Sequence, residues 1–313
     1  MNLLIIRPGA LGDTLMVLPA VVNLSGRVNI TLVARQPGLS FVRDFVNRAL
    51  DLDGAGWHRL FLENPAEEGL PVARADVVVV FSNDEDGVIR RNLNTYFSDT
   101  PIHLFPSFPA KGEKSHVARY ISNCIKSAGL PVDPRAAFEN AVTNPLMKRE
   151  RPLQTCKTVV VHPGSGGVKK NLSPDFWLKV LSRVVREPGL KKLAPWLLLG
   201  PAEFSLHSFF KKNLESTQWE ICICPDNETL IGFLEKACLY LGHDSGITHL
   251  AAMLGIPTVA LFKESSSVQW HPLGPAVRII QKKGPGVELI EEVLKAAIDL
   301  SHTPDGDGLN KST

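Results

Sequence analysis

Residues 242–262 read GHDSGITHLAAMLGIPTVALF. A glycine-bearing turn opens into a short helix, and the helix gives way to an apolar strand. Asp244 and Ser245 each offer a side-chain oxygen to the backbone N–H groups that a helix start leaves unpaired. Gly246 keeps the first helical turn bare, so a ligand can approach the backbone. His249, Ala251 and Ala252 follow, and Gly255-Ile256-Pro257 ends the helix. Thr258 to Phe262 is β-branched and apolar, as in a buried parallel strand. Such a helix start suits a phosphate, because its N–H groups and dipole point at the ligand. On these residues alone it suits an ordinary capped helix equally well.

The N-terminus has the same construction. Leu3 to Ile6 is a short apolar strand and Arg7 to Gly12 a glycine-containing turn. Asp13 to Leu24 is read as a helix with Leu15, Leu18 and Val22 on one side. Strand, glycine turn and helix open a doubly wound α/β sheet, whose ligands sit beyond the carboxyl ends of the strands. Gly9 and Gly12 do not make the dinucleotide GxGxxG pattern, and the Walker pattern is absent. An oxidoreductase and a P-loop ATPase are therefore disfavoured.

Further strands are predicted at Val28 to Ala34 and Ala75 to Phe81, with a helix over Gly38 to Leu50 between them. Pro101 to Lys114 reads as a loop or short strand, and His116 to Ala128 as a helix ending at Gly129. Pro131 to Pro152 is read as a short strand followed by a linker. A second half then opens with the strand Thr158 to Val161 and the turn HPGSGG at 162–167. A helix follows from about Ser173 to Arg186. Strands are predicted at Trp196 to Leu199 and Trp219 to Cys224, and helices at Phe204 to Leu214, Asn227 to Ala237 and Glu288 to Leu300. Two halves that each begin with strand, glycine turn and helix imply two Rossmann-like α/β domains facing a cleft, 1–150 and 151–300. The polar residues 301–313 are expected to form a disordered tail.

The bulk properties agree. A chain of 313 residues has room for two domains, and 44% hydrophobic with 21% charged residues is a globular composition. A formal net charge of +2 argues against a nucleic-acid partner bound through bulk charge. Five cysteines without a Cys-x-x-Cys pair fit a reducing compartment. Arg7, Pro8, Gly9, Gly12 and Asp13 interrupt the apolar N-terminus, which is therefore not read as a signal peptide. No charge-free apolar run is long enough to span a bilayer. A cytoplasmic protein is expected, with any membrane contact peripheral.

Several of these segments together resemble glycosyltransferase family 9, the ADP-heptose:lipopolysaccharide heptosyltransferase family. They are HPGSGG with Lys170, GPAE at 200–203, GHDSGITHLAAMLGIPTVALF, and HPLG at 271–274. RPGALGD at 7–13 is similar to the family's opening motif, and HVARYISNCIKSAGLP at 116–131 to its helix before the interdomain region. The resemblance runs along nearly the whole chain, and Asp-Ser-Gly-x-x-His is its most specific element. It implies the GT-B fold, with an acceptor-side N-terminal domain and a nucleotide-sugar-binding C-terminal domain. It also implies an inverting, metal-independent transfer of sugar, heptose from ADP-heptose, to a lipopolysaccharide-core or related glycan.

Residue by residue, the resemblance gives Gly164, Ser165 and Gly166 the diphosphate and Lys170 the charge of the departing nucleotide. Glu203 would accept from ribose hydroxyls. Asp244 would orient the donor sugar, with Ser245, Gly246 and His249 beside the phosphate. Each has a plainer alternative: a solvated lysine beside Lys169, a helix-capping acid at 203, a core histidine at 249. Inverting transfer needs a base for the acceptor hydroxyl. Asp13 is assigned that role, although a carboxylate at a helix start is also a simple dipole partner. No cofactor and no metal-ligand cluster is implied; helix dipole, Ser165 and Lys170 would stabilise the leaving diphosphate.

Two positions depart from the family pattern. Lys263-Glu264-Ser265 replaces a Gly-Pro-Thr-like turn, and Leu172 stands where an aromatic is usual. The partners implied are a nucleoside-diphosphate sugar and a lipid-linked or phosphorylated glycan. Arg90, Arg91, Lys111, Lys114 and Arg119 are candidates for the latter or simply solvated charges. The alternatives are a transferase of the same fold using another nucleotide sugar, and a catalytically silent sugar-nucleotide-binding protein.

Overall fold

The computed structural model describes residues 1–64, 67–110, 112–281 and 286–301. The tail predicted at 301–313 thus lies outside the described residues from 302 onward, as does Lys111. The chain forms two compact units, Met1–Leu146 with Val268–His271, and Met147–Ser267 with the residues from Pro272.

The first unit runs β1 (Asn2–Arg7), α1 (Leu11–Leu15), α2 (Leu18–Leu24), β2 (Asn29–Ala34), α3 (Gly38–Val42), β3 (Arg48–Asp51) and β4 (Val77–Phe81). It continues with α4 (Val88–Tyr96), β5 (Ile102–Phe105), α5 (Val117–Ser127) and α6 (Pro134–Thr143). Its parallel sheet has the order β3-β2-β1-β4-β5. Leu3 to Ile6 are buried on both faces, which explains why β1 is continuously apolar. Leu4, Ile6, Val78, Val80, Trp57 and Leu93 pack into one core on one side of it.

The second unit contains β6 (Thr158–His162), α7 (Pro174–Val184), β7 (Ala194–Leu199), α8 (His207–Leu214), β8 (Glu220–Ile223), α9 (Asn227–Leu234) and β9 (Ala237–His243). Then come α10 (Gly246–Met253), β10 (Thr258–Phe262), α11 (Ser267–Trp270), β11 (Val277–Gln281) and α12 (Val287–Ser301); Val268 to His271 cluster with the first unit. This sheet is parallel throughout, in the order β11-β10-β9-β6-β7-β8. Trp177 and Val180 of α7 and Val293 of α12 pack on Val159, Val161, Leu239 and Leu241. Among the described residues no helix is long and apolar enough to cross a membrane.

Three expectations need correction. The helix over 38–50 stops at Val42, a 3-10 turn carries the chain to Phe45, and Arg48–Asp51 is a strand. Asn47 holds that switch, because its N–H donates to Ile30 O (3.0 Å) and its Oδ1 accepts from Ile30 N (2.8 Å). The strand-plus-linker reading of 131–152 misses α6, although Asp133 caps it through Arg135 N and Ala136 N and Pro134 sits in its first turn. The helix from Asp13 to Leu24 is two helices, parted at Met16 and Val17.

Candidate active site

In the second unit the chain leaves β6 toward β7 and β8, then returns on the other flank through β9, β10 and β11. The boundary between β6 and β9 is therefore the topological switch point, where the strand ends open a crevice. The turns after β6 and β9 begin side by side there, since His162 is in register with Gly242.

Lys170, on the 3-10 turn Val168–Lys170, donates from Nζ to Asp244 Oδ2 at 2.8 Å. The lysine is 42% exposed, so solvent screens the pair, whereas the Asp244 carboxylate is buried. Its other oxygen lies 3.6 Å from His249 Nε2, longer than a well-formed hydrogen bond. Burial alone would push the Asp244 carboxyl up. His249, then Lys170 and Ser265, outweigh that and hold it well below the usual carboxylate range. The Asp244 carboxylate is thus paired with the Lys170 ammonium, and Ser245 is the N-cap of α10, its Oγ accepting from Thr248 N at 3.3 Å. Gly246 is the first residue of that helix. His249 is 2% exposed, so it stands in the core and beside Asp244 at once.

The turn after β6 is internally braced. Ser165 is buried; its Oγ donates to Asn171 Oδ1 at 2.7 Å and accepts from Gly167 N at 3.3 Å. Its hydroxyl hydrogen is therefore engaged within the turn. Gly164 leaves the space that Glu203 occupies: a Cβ there would stand 1.9 Å from Glu203 Oε1. Glu203 arrives from the turn after β7, and its carboxylate fills that space. Oε2 accepts from Gly200 N (3.1 Å) and from His162 Nε2 (3.3 Å). Oε1 is buried and has no hydrogen-bond partner among the described residues. A buried carboxylate oxygen left open in this way is a receptor for hydroxyl donors. Glu203 also borders a cavity of about 420 Å³ lined by Asn171, Ser173, Trp177, Ser205 and Lys263.

Two histidines to which the sequence reading gave no role complete this arrangement. His162 links Glu203 to Ser245 Oγ, which lies 3.4 Å from its Nδ1. His243 Nε2 accepts from Leu172 N and Trp177 Nε1, both at 3.0 Å, so its hydrogen is on Nδ1. Burial, with His162 adding to it, pushes His243 down to about 3. The available signal was positional: each is the last residue of a central strand and lies within a quoted motif.

In the first unit Asp13 lies in the first turn of α1, partly exposed, and its Oδ2 accepts from Ala10 N at 2.9 Å. It makes no ion pair among the described residues. Arg90, Arg91, Lys114 and Arg119 are exposed on the same unit, and Arg119 lines a hollow of about 270 Å³ with Arg135, Phe138 and Glu139. Among the described residues no group of three or more His, Cys, Asp or Glu is placed to hold a metal ion.

The chain is similar in fold to E. coli heptosyltransferase WaaC solved with ADP, at a TM-score of 0.66 and 15% identity, covering 96% of this chain and 100% of that one. It is similar to E. coli ADP-heptose lps heptosyltransferase II (TM-score 0.66, 17% identity, 96% and 98% covered). A family 9 glycosyl transferase from Veillonella parvula DSM 2008 gives a TM-score of 0.62 at 13% identity, with 96% and 97% covered. No curated protein sequence matches. The family model for glycosyltransferase family 9 (heptosyltransferase) matches residues 102–289, which hold the turns after β6, β7 and β9. On that match, over more than half of its length, the chain belongs to glycosyltransferase family 9, and it is a glycosyltransferase of GT-B type.

Proposed function

We propose that the protein is an inverting, metal-independent heptosyltransferase that moves heptose from ADP-heptose to a lipopolysaccharide-core or related glycan. The observation that carries the donor half is the Lys170–Asp244 pair at the β6/β9 switch point, with the N-terminus of α10 beside it. That corner combines a cation, a helix dipole and bare glycine backbone, which is what a diphosphate leaving group requires. Gly164 and Gly166 supply backbone to the phosphates, Ser165 braces their turn, and Glu203 Oε1 takes ribose hydroxyls. Asp244 orients the sugar, with Ser245, Gly246 and His249 around it. The solved relative WaaC was seen with ADP and with ADP-2-deoxy-2-fluoro heptose, which favours an adenine donor here.

Asp13 is the proposed base. As the acceptor oxygen attacks the anomeric carbon, the Asp13 carboxylate takes its proton while the sugar–phosphate bond breaks and ADP departs. A carboxylate held by one backbone N–H and open to solvent retains lone pairs for that proton. A phosphorylated or lipid-linked acceptor would use exposed arginines such as Arg90, Arg91 and Arg119, with peripheral contact to the membrane that carries it. A calorimetric screen of ADP-, UDP- and GDP-sugars is the test, each donor then assayed for transfer with chelator present. ADP-heptose is expected to bind tightest and react. Equal binding of all bases removes the donor assignment, and binding without transfer to any glycan favours a silent sugar-nucleotide-binding protein.

A further inference from the structure

We infer that His162 is a positioning residue that locks the two donor-binding turns to each other; this rests on the donor reading above. Proton accounting gives the direction. The Glu203 carboxylate has only acceptors, so His162 Nε2, at 3.3 Å, must carry the hydrogen. Nδ1 is then an acceptor, and the Ser245 hydroxyl has two acceptors within reach, Thr248 Oγ1 at 3.0 Å and His162 Nδ1 at 3.4 Å, between which its hydrogen is shared. Ser245 has its lone pairs left for Thr248 N. The Thr248 hydroxyl gives its own hydrogen to His243 O at 2.5 Å and accepts from Tyr240 OH at 3.2 Å. The contacts run without a break from Tyr240 through Thr248, Ser245 and His162 to Glu203.

The series ends on Glu203 Oε1, which has no hydrogen-bond partner among the described residues. His162 thus fixes the face that Glu203 presents to the ribose and, through Ser245, the cap of the helix that faces the phosphate. It is itself buried at 3% exposure, so it would act on a donor through Glu203 and Ser245. Nucleoside and phosphate subsites are set by one ring, so loss of that ring should loosen both. Side chains of a supporting shell act in this way by holding the rotamers of the groups they bond.

The tautomer is read first, by long-range ¹H–¹⁵N correlation on the ligand-free wild type. Hydrogen on Nε2 alone is expected; hydrogen on Nδ1, or on both nitrogens, overturns the inference whether or not any nucleotide binds. Next, ADP affinity and transfer kinetics are compared in His162→Ala, His162→Gln and the wild type, with thermal unfolding run alongside. The Gln amide can still donate to Glu203 but offers Ser245 nothing. The Ala variant is expected to raise ADP Kd and donor KM by about tenfold or more, the size of a lost charge-assisted hydrogen bond, with kcat changed far less. The Gln variant should recover about half of that on a logarithmic scale. A folded Ala variant with wild-type Kd and KM, or a Gln variant no better than Ala at equal stability, overturns the assignment. Failure of the wild type to bind ADP would instead sink the donor reading, with the tautomer still deciding the relay.

Discussion

Arg7-Pro8-Gly9 and His162-Pro163-Gly164 are the same turn built twice, once after the central strand of each unit. In both, a polar residue buried at the strand end reaches the segment that bears an acid. In both, the glycine leaves room for that acid: a Cβ at Gly9 would lie 2.5 Å from Asp13 Cβ, and one at Gly164 would lie 1.9 Å from Glu203 Oε1. The chemistry then diverges. Arg7 Nε donates to the main-chain oxygen of Asp13 at 3.3 Å, and its guanidinium lies over Phe81 and Phe108 at 5.4 and 5.1 Å. Arg7 therefore fixes the backbone of Asp13 and leaves the carboxylate partly in water. His162 bonds the Glu203 carboxylate itself, which is buried. The difference lies in where the acid comes from. Asp13 is four residues beyond its glycine in the same turn, whereas Glu203 crosses from β7 and has to enter the interior. One backbone device thus leaves one acid partly in water and holds the other buried and bonded.

The largest effect should come from breaking the reactive half. Asp13→Asn is expected to lower turnover by on the order of 10²- to 10⁴-fold with ADP affinity unchanged, the range for losing a general base. Single-turnover transfer and calorimetry on the same sample check it; wild-type turnover in a folded variant would mean that Asp13 is not the base.

The second prediction concerns pH and the binding half. His243 has a folded value depressed to about 3 against about 6.5 unfolded, so the unfolded chain binds the extra proton between those values. Its contribution is full above about pH 6.5 and is lost as pH falls toward about 3, with a slope of up to roughly 1.4 kcal/mol per pH unit. Urea unfolding across that range should show the slope, and His243→Gln, which keeps an acceptor for Leu172 N and Trp177 Nε1, should flatten it. Asp244 works in the same sense but lower, below the usual carboxylate value of about 4.

The smallest effects separate the two glycines. Gly9→Ala presses on a Cβ and the backbone has to move, so a stability loss of about 1–3 kcal/mol is expected. Gly164→Ala meets the end of a flexible side chain, which can swing aside at little cost in stability but abandons His162 and Gly200 N. Thermal melting should therefore single out Gly9→Ala, and ADP titration Gly164→Ala. Equal losses of stability and affinity in both would show that the two turns are not specialised.

Much of this was legible in the chain itself. Apolar runs such as Leu3 to Ile6 and Thr258 to Phe262, each bounded by a glycine turn, required strands buried on both faces. Ser245 and Gly255 bounded a helix by chemistry local to a few residues. The α/β class, the pairing of turns with helices and the family motifs followed from such short-range patterns. Asp133-Pro134 was equally local, a cap and first-turn signature of α6 that the linker reading passed over. Only tertiary structure decided the rest, because register and strand order are not local quantities. Arg48 to Asp51 is a strand because β2 offers it an edge. Lys170 meets Asp244 across 74 residues because β6 and β9 are neighbours in the sheet. Glu203, for which the sequence allowed either a ribose acceptor or a capping acid, does cap Gly200 N, and its burial depends on His162 and Gly164 closing around it.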